Sequence, residues 1–472
     1  MQTFSESYAE NAAYFDRVLG VGKNYDMVGR ERIIAGHRAR FYFIDSFVQA
    51  ATVDRLLIYL AELTELRSAD DVQALAARHL PHTEATVVTD TEQFITSVLS
   101  GTMGLIFDDL GAVGITMDVR FYPSRSISSS ENDRVLRGAH DAFVETIKWN
   151  STLIRRRIRD PRLTFERFTV GKTSKSDVVM AYIDGKADPG YVSDIREKLT
   201  NIRVDALTLG QQSLAECLIH RGWYNPFPKF RYTERPDNAA AHLMEGCVVL
   251  LVDTSPEAMI LPTCIFDFMQ ETDDYYFPPL TGSYLRLLRW AVFALTMLLT
   301  PVWYLLVTHV EWVPDWLNFI LIDTEANIPI LAQLFIIEFA LDGLKLASMN
   351  TPSSLNNTFG VVGGLILGDF AVQIGWFVPE VIVYMAFVAI ANFSQSSYEL
   401  GYAFKFMRML LLLAAGIGGL WGFAGGLVLV VVLIATNKTV GGKRRYLYPL
   451  IPWNGAAMKR LLVRERLKVE GK

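Results

Sequence analysis

The pattern of hydrophobic and polar positions changes near residue 285. Before that point, short apolar runs alternate with charged and turn-forming residues, as is typical of a water-soluble region built from strands and helices. After it, dense apolar segments recur up to Asn437, and the run from Trp290 to Thr308 carries no charge. Because a spanning helix needs about 20 mostly apolar residues, this second region is predicted to be a helical membrane domain.

The beginning of the soluble region predicts a small α/β unit. Arg40–Asp45 is strand-like, and Val53–Leu66 has the helical spacing of apolar residues. Two short apolar runs, Leu105–Phe107 and Val113–Thr116, flank a turn at Asp108–Gly111, which predicts a β-hairpin.

A second α/β unit follows, in which strands alternate with helices. A helix from about Asn132 to Arg159 should end before Pro161, because a proline disfavours helical backbone at the residue before it. The other expected elements are strands at Val178–Ile183 and Val248–Val252 and helices at Val192–Ile202 and Leu207–Ile219. The expected fold class is α+β or α/β over two cytosolic subdomains, 1–125 and 126–284, then a polytopic α-helical transmembrane domain, 285–437, and a basic tail, 438–472.

Charge asymmetry predicts the orientation of the membrane region. The tail after Asn437 carries ten Lys or Arg residues against two Glu, although the whole chain has a net charge of -5. The positive-inside rule therefore puts the tail in the cytosol, where it could also touch anionic lipid headgroups. No basic and apolar signal peptide opens the chain, so the N-terminal region is expected in the cytosol as well. Three scattered cysteines fit reduced thiols in that compartment.

The number of membrane crossings should be even, because both ends of the chain are expected in the cytosol. Five apolar segments are present, at Leu287–Thr308, Ile328–Ser348, Phe359–Phe377, Val381–Tyr398 and Met409–Asn437. Four crossings result if the second segment lies in the membrane interface. Six result if the fifth segment is a hairpin bent near Gly416–Gly426.

Ionisable residues inside these segments are the candidate ion path. Glu338, Asp342 and Lys345 fall on one face of a helix, and charges within a bilayer usually face a cavity, a pathway or each other. If the second segment is interfacial, that face simply meets water. Asp369 lies within the third segment and would favour cations if it lined a pore. The polar pair Asn392 and Ser394 could line the same path or cap a helix end.

Two glycine series predict helix packing. Gly360, Gly364 and Gly368 recur every four residues, as do Gly418, Gly422 and Gly426 behind Ala414. Small residues at this spacing let helix backbones approach closely, either within one subunit or between subunits.

Three sequence features resemble known functional motifs, but none of them is a complete motif. Gly171–Thr173 looks like the end of a phosphate-binding loop, but Glu166 stands where the first glycine is required. The arginines between Arg155 and Arg162 could bind phosphates, although such runs are more often solvated faces or subunit contacts. No histidine has metal-ligand spacing and no nucleophile motif occurs, so we expect no enzyme, no cofactor, no metal site and no nucleic-acid partner.

The last part of the soluble region resembles the signature of the spore germination GerA family, in its A-type subunits. The resemblance rests on Thr233-Glu234-Arg235-Pro236-Asp237, on Glu245-Gly246 and on Val252–Pro256, and similar runs lie around Leu153–Leu163. The short N-terminus and the ending Tyr446–Asn454 resemble the stage V sporulation branch of the family. Within the signature, Thr233 could start a helix, with Pro236 in its first turn and Glu234 and Asp237 at its positive end.

The resemblance implies a role in spore germination at the spore inner membrane. It implies subunits that form a homo-oligomeric ring and conduct small ions, beside other germination membrane proteins and membrane lipid. The family tends to have acids at Glu338 and Asp342, whereas it often has Gln at the position of Asp369. The alternative is a non-conducting scaffold or a signal-transducing subunit of a germination complex.

Overall fold

The computed structural model describes residues 3–79, 84–122, 138–219, 224–271, 273–324, 327–350, 371–395, 397–437, 439–440 and 446–464. The chain divides into two compact units. Unit 1 comprises Met1–Arg221, Phe230–Thr263 and Val440–Lys443, and unit 2 comprises Gly222–Lys229, Cys264–Thr439 and Arg444–Lys472. The helical unit thus begins with residues that the sequence pattern had assigned to the soluble region.

Unit 1 contains two antiparallel sheets, and helices cover both faces of the first. Its strands are β1 (Met27–Ile34), β2 (His37–Ile44), β3 (Ala85–Val88), β4 (Met103–Phe107) and β5 (Gly114–Met117), in the order β1-β2-β4-β5-β3. Its helices are α1 (Tyr8–Leu19), α2 (Ala50–Ala61), α3 (Ala69–His79) and α4 (Thr91–Leu99). Because successive side chains of a strand point to opposite faces, Phe41 packs with α2 and α3 whereas Tyr42 packs with α1 and α4.

The hairpin predicted between residues 105 and 116 is confirmed. β4 and β5 pair antiparallel, with Leu105 opposite Ile115. Asp109 and Gly111 both have positive φ in the turn, a conformation that Gly and Asp tolerate better than most residues.

The second sheet repeats this arrangement in the following residues. Its strands are β6 (Leu163–Val170), β7 (Ser176–Ile183), β8 (Arg231–Thr233), β9 (Val248–Val252) and β10 (Ala258–Leu261), in the order β6-β7-β9-β10-β8. Its helices are α5 (Ile147–Arg157), α6 (Pro189–Asn201), α7 (Gln211–Leu218) and α8 (Pro236–Met244). Apolar residues of α6 and α7 pack on one face of the sheet, and those of α5 and α8 pack on the other.

The strand pairing makes unit 1 an α+β fold and excludes the α/β alternative. Every pairing between these strands is antiparallel, although strands and helices alternate along parts of the chain. Residues 132–137 of the predicted helix from about Asn132 lie outside the described residues, and its part over 138–146 is wrong, since α5 begins only at Ile147. Before it, both amide atoms of the Asn150 side chain bond the backbone of Val144 and hold that segment in a non-helical path.

Unit 2 is helical. Its helices are α9 (Asp273–Tyr276), α10 (Pro279–Thr308), α11 (Ile330–Asn350), α12 (Ala371–Gln373), α13 (Pro379–Phe393), α14 (Tyr398–Thr436) and α15 (Gly455–Leu462), with 3₁₀ turns at Ile265–Met269, Val310–Trp312 and Asp315–Ile320. Two of them, α10 and α14, are long and apolar enough to cross a membrane, and α13 is apolar but shorter. The span predicted at Phe359–Phe377 lies mostly outside the described residues.

The fifth apolar segment forms a helical hairpin. Gly419 breaks α14 with φ 54° and ψ -136°, a conformation almost confined to glycine. A Cβ at Gly422 would lie only 2.0 Å from the Ala414 carbonyl oxygen, and Gly426 faces Leu411. Residues this far apart cannot touch along a straight helix, because each residue adds about 1.5 Å of length. The arms 398–418 and 420–436 therefore fold against each other.

Candidate functional site

A buried cluster of four charged side chains joins α11 to the first arm of α14. Arg408 donates hydrogen bonds from Nη2 to both carboxylate oxygens of Glu338, each at 2.7 Å. Lys405 donates to Asp342, and its Nζ also lies 3.4 Å from Glu338. The side chains of Glu338, Lys405 and Arg408 are at least nine-tenths buried, whereas Asp342 is partly exposed.

The cluster is tied to a third helix. Arg408 Nη1 donates to the Thr296 carbonyl oxygen of α10 at 2.9 Å. Two buried polar atoms in this region, Arg408 Nε and Thr300 Oγ1, have no hydrogen-bond partner among the described residues. Lys345, one turn beyond Asp342, lies over the ring of Tyr402, 5.3 Å from its centre. Three helices therefore converge on a polar centre inside an otherwise apolar bundle.

The four central charges cancel. Breaking a buried ion pair costs about 3–5 kcal/mol, because the remaining charge is left uncompensated, while the intact pair can be close to neutral for stability. Geometry thus pairs both Glu338 and Asp342 with bases, although Asp342 remains partly exposed, and pairing is one of the arrangements expected for charges within a bilayer.

The two bases of the cluster were not recognised from the sequence. Lys405 and Arg408 lie within four residues before Met409, where the fifth apolar segment was taken to begin, so they fell outside the predicted segments. The structure shows that α14 starts at Tyr398. A signal was available, because two bases spaced by three residues complement two acids spaced by four on another helix.

The other candidate path residues lie elsewhere or outside the described structure. Asp369, Gly360, Gly364 and Gly368 are outside the described residues. Ser394 donates its hydroxyl hydrogen bond to the Ala391 carbonyl oxygen at 2.8 Å, at the end of α13. The amide oxygen of Asn392 faces Gly401 of α14. These are the contacts of a helix end packed against its neighbour.

The second glycine series packs within the chain, but not along one helix face. Gly422 and Gly426 contact the first arm of the hairpin around Ala414. Gly418 lies on the other side of the break at Gly419, and a Cβ there would meet no atom within 4 Å. The spacing of four therefore marks a turn and its close approach rather than a continuous ridge.

The family signature forms structural contacts in unit 1. Arg235, which is buried, binds the Asp237 carboxylate through Nε at 3.0 Å and Nη2 at 2.5 Å. Pro236 opens α8, as expected, but Arg235 rather than Thr233 is its N-cap. The expectation that Thr233 starts the helix is wrong, because Thr233 ends strand β8 and its hydroxyl accepts the Arg235 N–H at 3.2 Å.

The arginine-rich run is used in pairs rather than as one phosphate-binding face. Arg155 is fully buried and binds the Asp26 carboxylate through Nε at 2.7 Å and Nη2 at 3.1 Å. Asp26 directly precedes the first sheet and α5 packs on the second, so this ion pair joins the parts of unit 1 that carry the two sheets. Arg157 binds Asp141, while Arg162 makes a solvent-exposed pair with its near neighbour Asp160.

Glu166, which occupies the place of a phosphate-loop glycine, is part of another ion pair. Arg196 donates to both its carboxylate oxygens at 2.7 and 2.8 Å, and the Tyr182 hydroxyl donates to it at 2.5 Å. Burial alone would raise the pKa of Glu166, but the hydrogen bonds from Arg196 and Tyr182 outweigh it and hold that pKa below its ordinary value.

The phosphate-loop-like residues themselves form the turn between β6 and β7. The N–H groups of Lys172 and Thr173 donate to the carbonyl oxygens of Val204 and Asp205. They are therefore not available to cradle a phosphate. Within the described ranges, no group of three or more His, Cys, Asp or Glu side chains is placed to hold a metal ion.

Comparison with known proteins gives a family over nearly the whole chain. The family described as Bacillus/Clostridium GerA spore germination protein matches residues 14–472. Stage V sporulation protein AF of Bacillus subtilis is 34% identical over 97% of this chain and 92% of its own length. Spore germination protein GerLA of Bacillus cereus is 29% identical over 89% of this chain and 86% of its own length.

A solved structure also matches part of the chain. The N-terminal domain of the A subunit of the Bacillus megaterium spore germinant receptor GerK3 is 24% identical, covers 55% of this chain and 95% of its own, and has a TM-score of 0.41. The sequence-level similarity to the stage V sporulation branch, indicated by both chain ends, agrees with the match to stage V sporulation protein AF. The chain belongs to the GerA family of spore germination proteins.

Proposed function

We propose that this chain is a multi-pass subunit of the spore inner membrane that acts in germination and forms an oligomeric path for small ions. Membership of the GerA family supports the germination role. The observation that carries the ion path is the buried cluster of Glu338, Asp342, Lys405 and Arg408. Ionisable side chains within apolar helices are costly and commonly mark a path for ions or protons.

The arrangement of helix ends supports six crossings. The end of α10 at His309, the start of α11 at Leu331 and the turn of α14 at Gly419 lie together at one end of unit 2. Several tryptophans exposed near this end, Trp312, Trp316 and Trp421 among them, suit a membrane–water interface.

These contacts support a proposal with five crossings among the described residues. In this proposal they are α10, α11, α13 and the two arms of α14, and the sixth is the span predicted from the sequence at Phe359–Phe377, which lies mostly outside the described residues. An even number places both ends of the chain on one side, and the basic tail makes that side the cytosol.

In this proposal, the cluster with all four charges paired is the closed state of the ion path. While Lys405 holds Asp342 and Arg408 holds Glu338, neither carboxylate is available to a passing cation. Separation of α11 from α14 would leave two carboxylates facing the opening, and a ring of such acids from several subunits favours cations. Exposed apolar residues on the second arm of α14, such as Val428 and Val431, offer a surface for lipid or for neighbouring subunits.

The test is ion flux through the purified full-length chain in liposomes. Lys405→Gln removes the base that holds Asp342, so we expect a higher potassium flux and a stronger preference for cations over chloride than in the unaltered chain. Asp315→Asn is the matched control, because Asp315 is an exposed acid in the loop after α10. Equal flux and selectivity in Lys405→Gln and the unaltered chain would contradict the gating role of the cluster.

A spore assay connects this path to germination. Spores carrying Glu338→Gln or Asp369→Asn should release potassium and calcium more slowly, or in altered proportion, at a protein level confirmed by immunoblot. Unchanged release by both variants would remove these acids from the path.

The second candidate is a non-conducting scaffold or signal-transducing subunit that holds other germination membrane proteins together. The specific observation in its favour is that each described acid of the cluster is already paired, so the cluster can serve to fix three helices without conduction. It predicts that apolar replacement of Glu338 and Arg408 together leaves ion release during germination unchanged.

A further inference from the structure

A second cluster of charged side chains lies where α10 begins, at the end of unit 2 opposite Gly419. Arg289 binds both oxygens of the Asp274 carboxylate, at 2.8 and 3.1 Å, and also binds Glu271 at 2.9 Å. Asp274 is fully buried. The single guanidinium of Arg289 therefore engages both nearby acids.

Arg286, on the same helix, is buried and has hydrogen-bonding capacity to spare. Its Nη1 donates to the carbonyl oxygen of Arg460 in α15 at 2.9 Å, and its guanidinium lies over the ring of Tyr275. Its Nε and Nη2 have no hydrogen-bond partner among the described residues. The nearest Asp274 oxygen is 3.5 Å from Nε and is already bound by Arg289.

Arg464, just beyond α15, approaches the same part of α10. Its backbone N–H donates to the Ser283 hydroxyl oxygen at 3.0 Å, and its Cδ would lie 3.0 Å from a Cβ at Gly282. Its Nε and Nη1 are buried and likewise lack a partner within the described ranges. Since Gly282 and Ser283 lie one turn before Arg286, both guanidiniums reach the same stretch of the helix.

The cluster has an excess of positive charge and of donors. Among the described residues, three arginines face two acids, and four buried guanidinium nitrogens of Arg286 and Arg464 have no acceptor. Leaving a buried donor unsatisfied is costly, and more so when the group is charged. An anion with several acceptor oxygens would balance the excess positive charge and accept hydrogen bonds from the unpaired donors. Guanidinium groups match phosphate geometry through paired hydrogen bonds.

We propose that Arg286 and Arg464 bind a phosphate group, and that its source is the headgroup of an anionic phospholipid. The lipid source is favoured because Leu280, Tyr284 and Leu287 form an exposed stripe on the same first turns of α10. Acyl chains can lie along such a stripe while the phosphate remains at the polar end of the helix. The proposal concerns lipid recognition and does not depend on whether the chain conducts ions.

The experiment measures binding to delipidated full-length protein in detergent, by native mass spectrometry and by the shift in melting temperature. Phosphatidylglycerol should bind and stabilise the chain, whereas diacylglycerol with the same acyl chains but no phosphate should not. Arg464→Gln should weaken phosphatidylglycerol binding about ten- to a hundred-fold, as expected for loss of hydrogen bonds to a charged group. Arg286→Gln should weaken phosphatidylglycerol binding to a similar extent. If Arg286→Gln fails to fold, the result for Arg464→Gln decides the test.

The matched control is Lys459→Gln, which removes one positive charge from α15 without altering either guanidinium. Lys459→Gln should retain most of the affinity for phosphatidylglycerol. If inorganic phosphate alone stabilises the chain as well as the lipid does, and Arg464→Gln abolishes that effect, the phosphate comes from solution. If Arg464→Gln binds phosphatidylglycerol as tightly as the unaltered chain, or loses no more affinity than Lys459→Gln, the proposal is overturned.

Discussion

The pair between Glu338 and Arg408 gives the sharpest test of the buried cluster. Arg408→Met keeps a side chain of similar length but leaves the Glu338 carboxylate without its hydrogen-bonded base, with the Lys405 Nζ atom 3.4 Å away. A buried pair broken on one side typically loses about 3–5 kcal/mol. For a unit of this size, each 1 kcal/mol lowers the melting temperature by roughly 2–4 °C, which gives a decrease of roughly 6–20 °C.

Replacing both partners should recover much of that loss. When Glu338→Met is combined with Arg408→Met, no carboxylate remains without its partner, and apolar replacement of a whole buried pair is often neutral or stabilising. The recovery should be incomplete, because Arg408 also donates to the Thr296 carbonyl oxygen, a bond worth about 1.5–3 kcal/mol when the donor is charged. The two single variants and the double variant together form a double-mutant cycle.

The assay is thermal unfolding of the purified full-length protein in detergent, followed by intrinsic tryptophan fluorescence at one heating rate. Trp303, buried in unit 2, is one reporter of this region. The reasoning would be refuted if both single variants had the melting temperature of the unaltered protein, or if their two effects simply added in the double variant. Either result would mean that the two side chains do not depend on each other in the folded protein.

The remaining predictions concern the hairpin, the subdomain joint and acid stability. Gly422→Ala should destabilise unit 2 by about 1–3 kcal/mol or more in thermal unfolding, because its Cβ would overlap a carbonyl oxygen, whereas Gly418→Ala should be tolerated. Arg155→Met should cost about 3–5 kcal/mol by leaving a buried carboxylate unpaired, while Arg162→Gln, on a solvent-exposed pair, should leave the unfolding transition almost unchanged. Because the folded pKa of Glu166 is lowered, its stabilisation is present above the unfolded value, about 4.3, and is lost as pH falls through the lower folded value. The stability difference between the unaltered protein and Glu166→Gln, measured from neutral pH to about pH 3, should therefore shrink with acid.

The short-range features of the fold could be predicted from the sequence, and the pairing between distant elements could not. The β4–β5 hairpin was evident because its two strands and turn are contiguous. The order of the strands in each sheet depends on contacts between residues far apart, so periodicity could not distinguish antiparallel sheets from a parallel α/β arrangement. Strands β3, β8 and β10 were not predicted, and their three or four residues are too few to show a period by themselves. The eight-residue strands β1 and β6 were also missed.

The candidate site shows the same limit. Glu338 and Asp342 were recognised because charges stand out within an apolar segment. Their partners were not, because charged residues interrupt the apolar positions in the first turns of α14, and the uninterrupted apolar run begins only at Met409. The hairpin in the fifth apolar segment was one of two alternatives that gave an even number of crossings. The glycine-rich composition limited its turn to Gly416–Gly426, and the positive φ of Gly419 locates it.

The acids and bases of the cluster around Glu338 and Arg408 are far apart in the sequence, and this affects the order in which the helices can enter the membrane. Asp342 and Glu338 precede their bases by 63 and 70 residues. At ribosomal speeds of 5–20 residues per second, α11 would wait roughly 3 to 14 seconds for Lys405 and Arg408 to be synthesised. Each unpaired charge at the centre of a bilayer adds about 2.5–3.5 kcal/mol to the insertion of a helix. In the proposed topology, α11 would therefore leave the translocon late or rest at the membrane surface, and would enter the bilayer only when the first arm of α14 arrives.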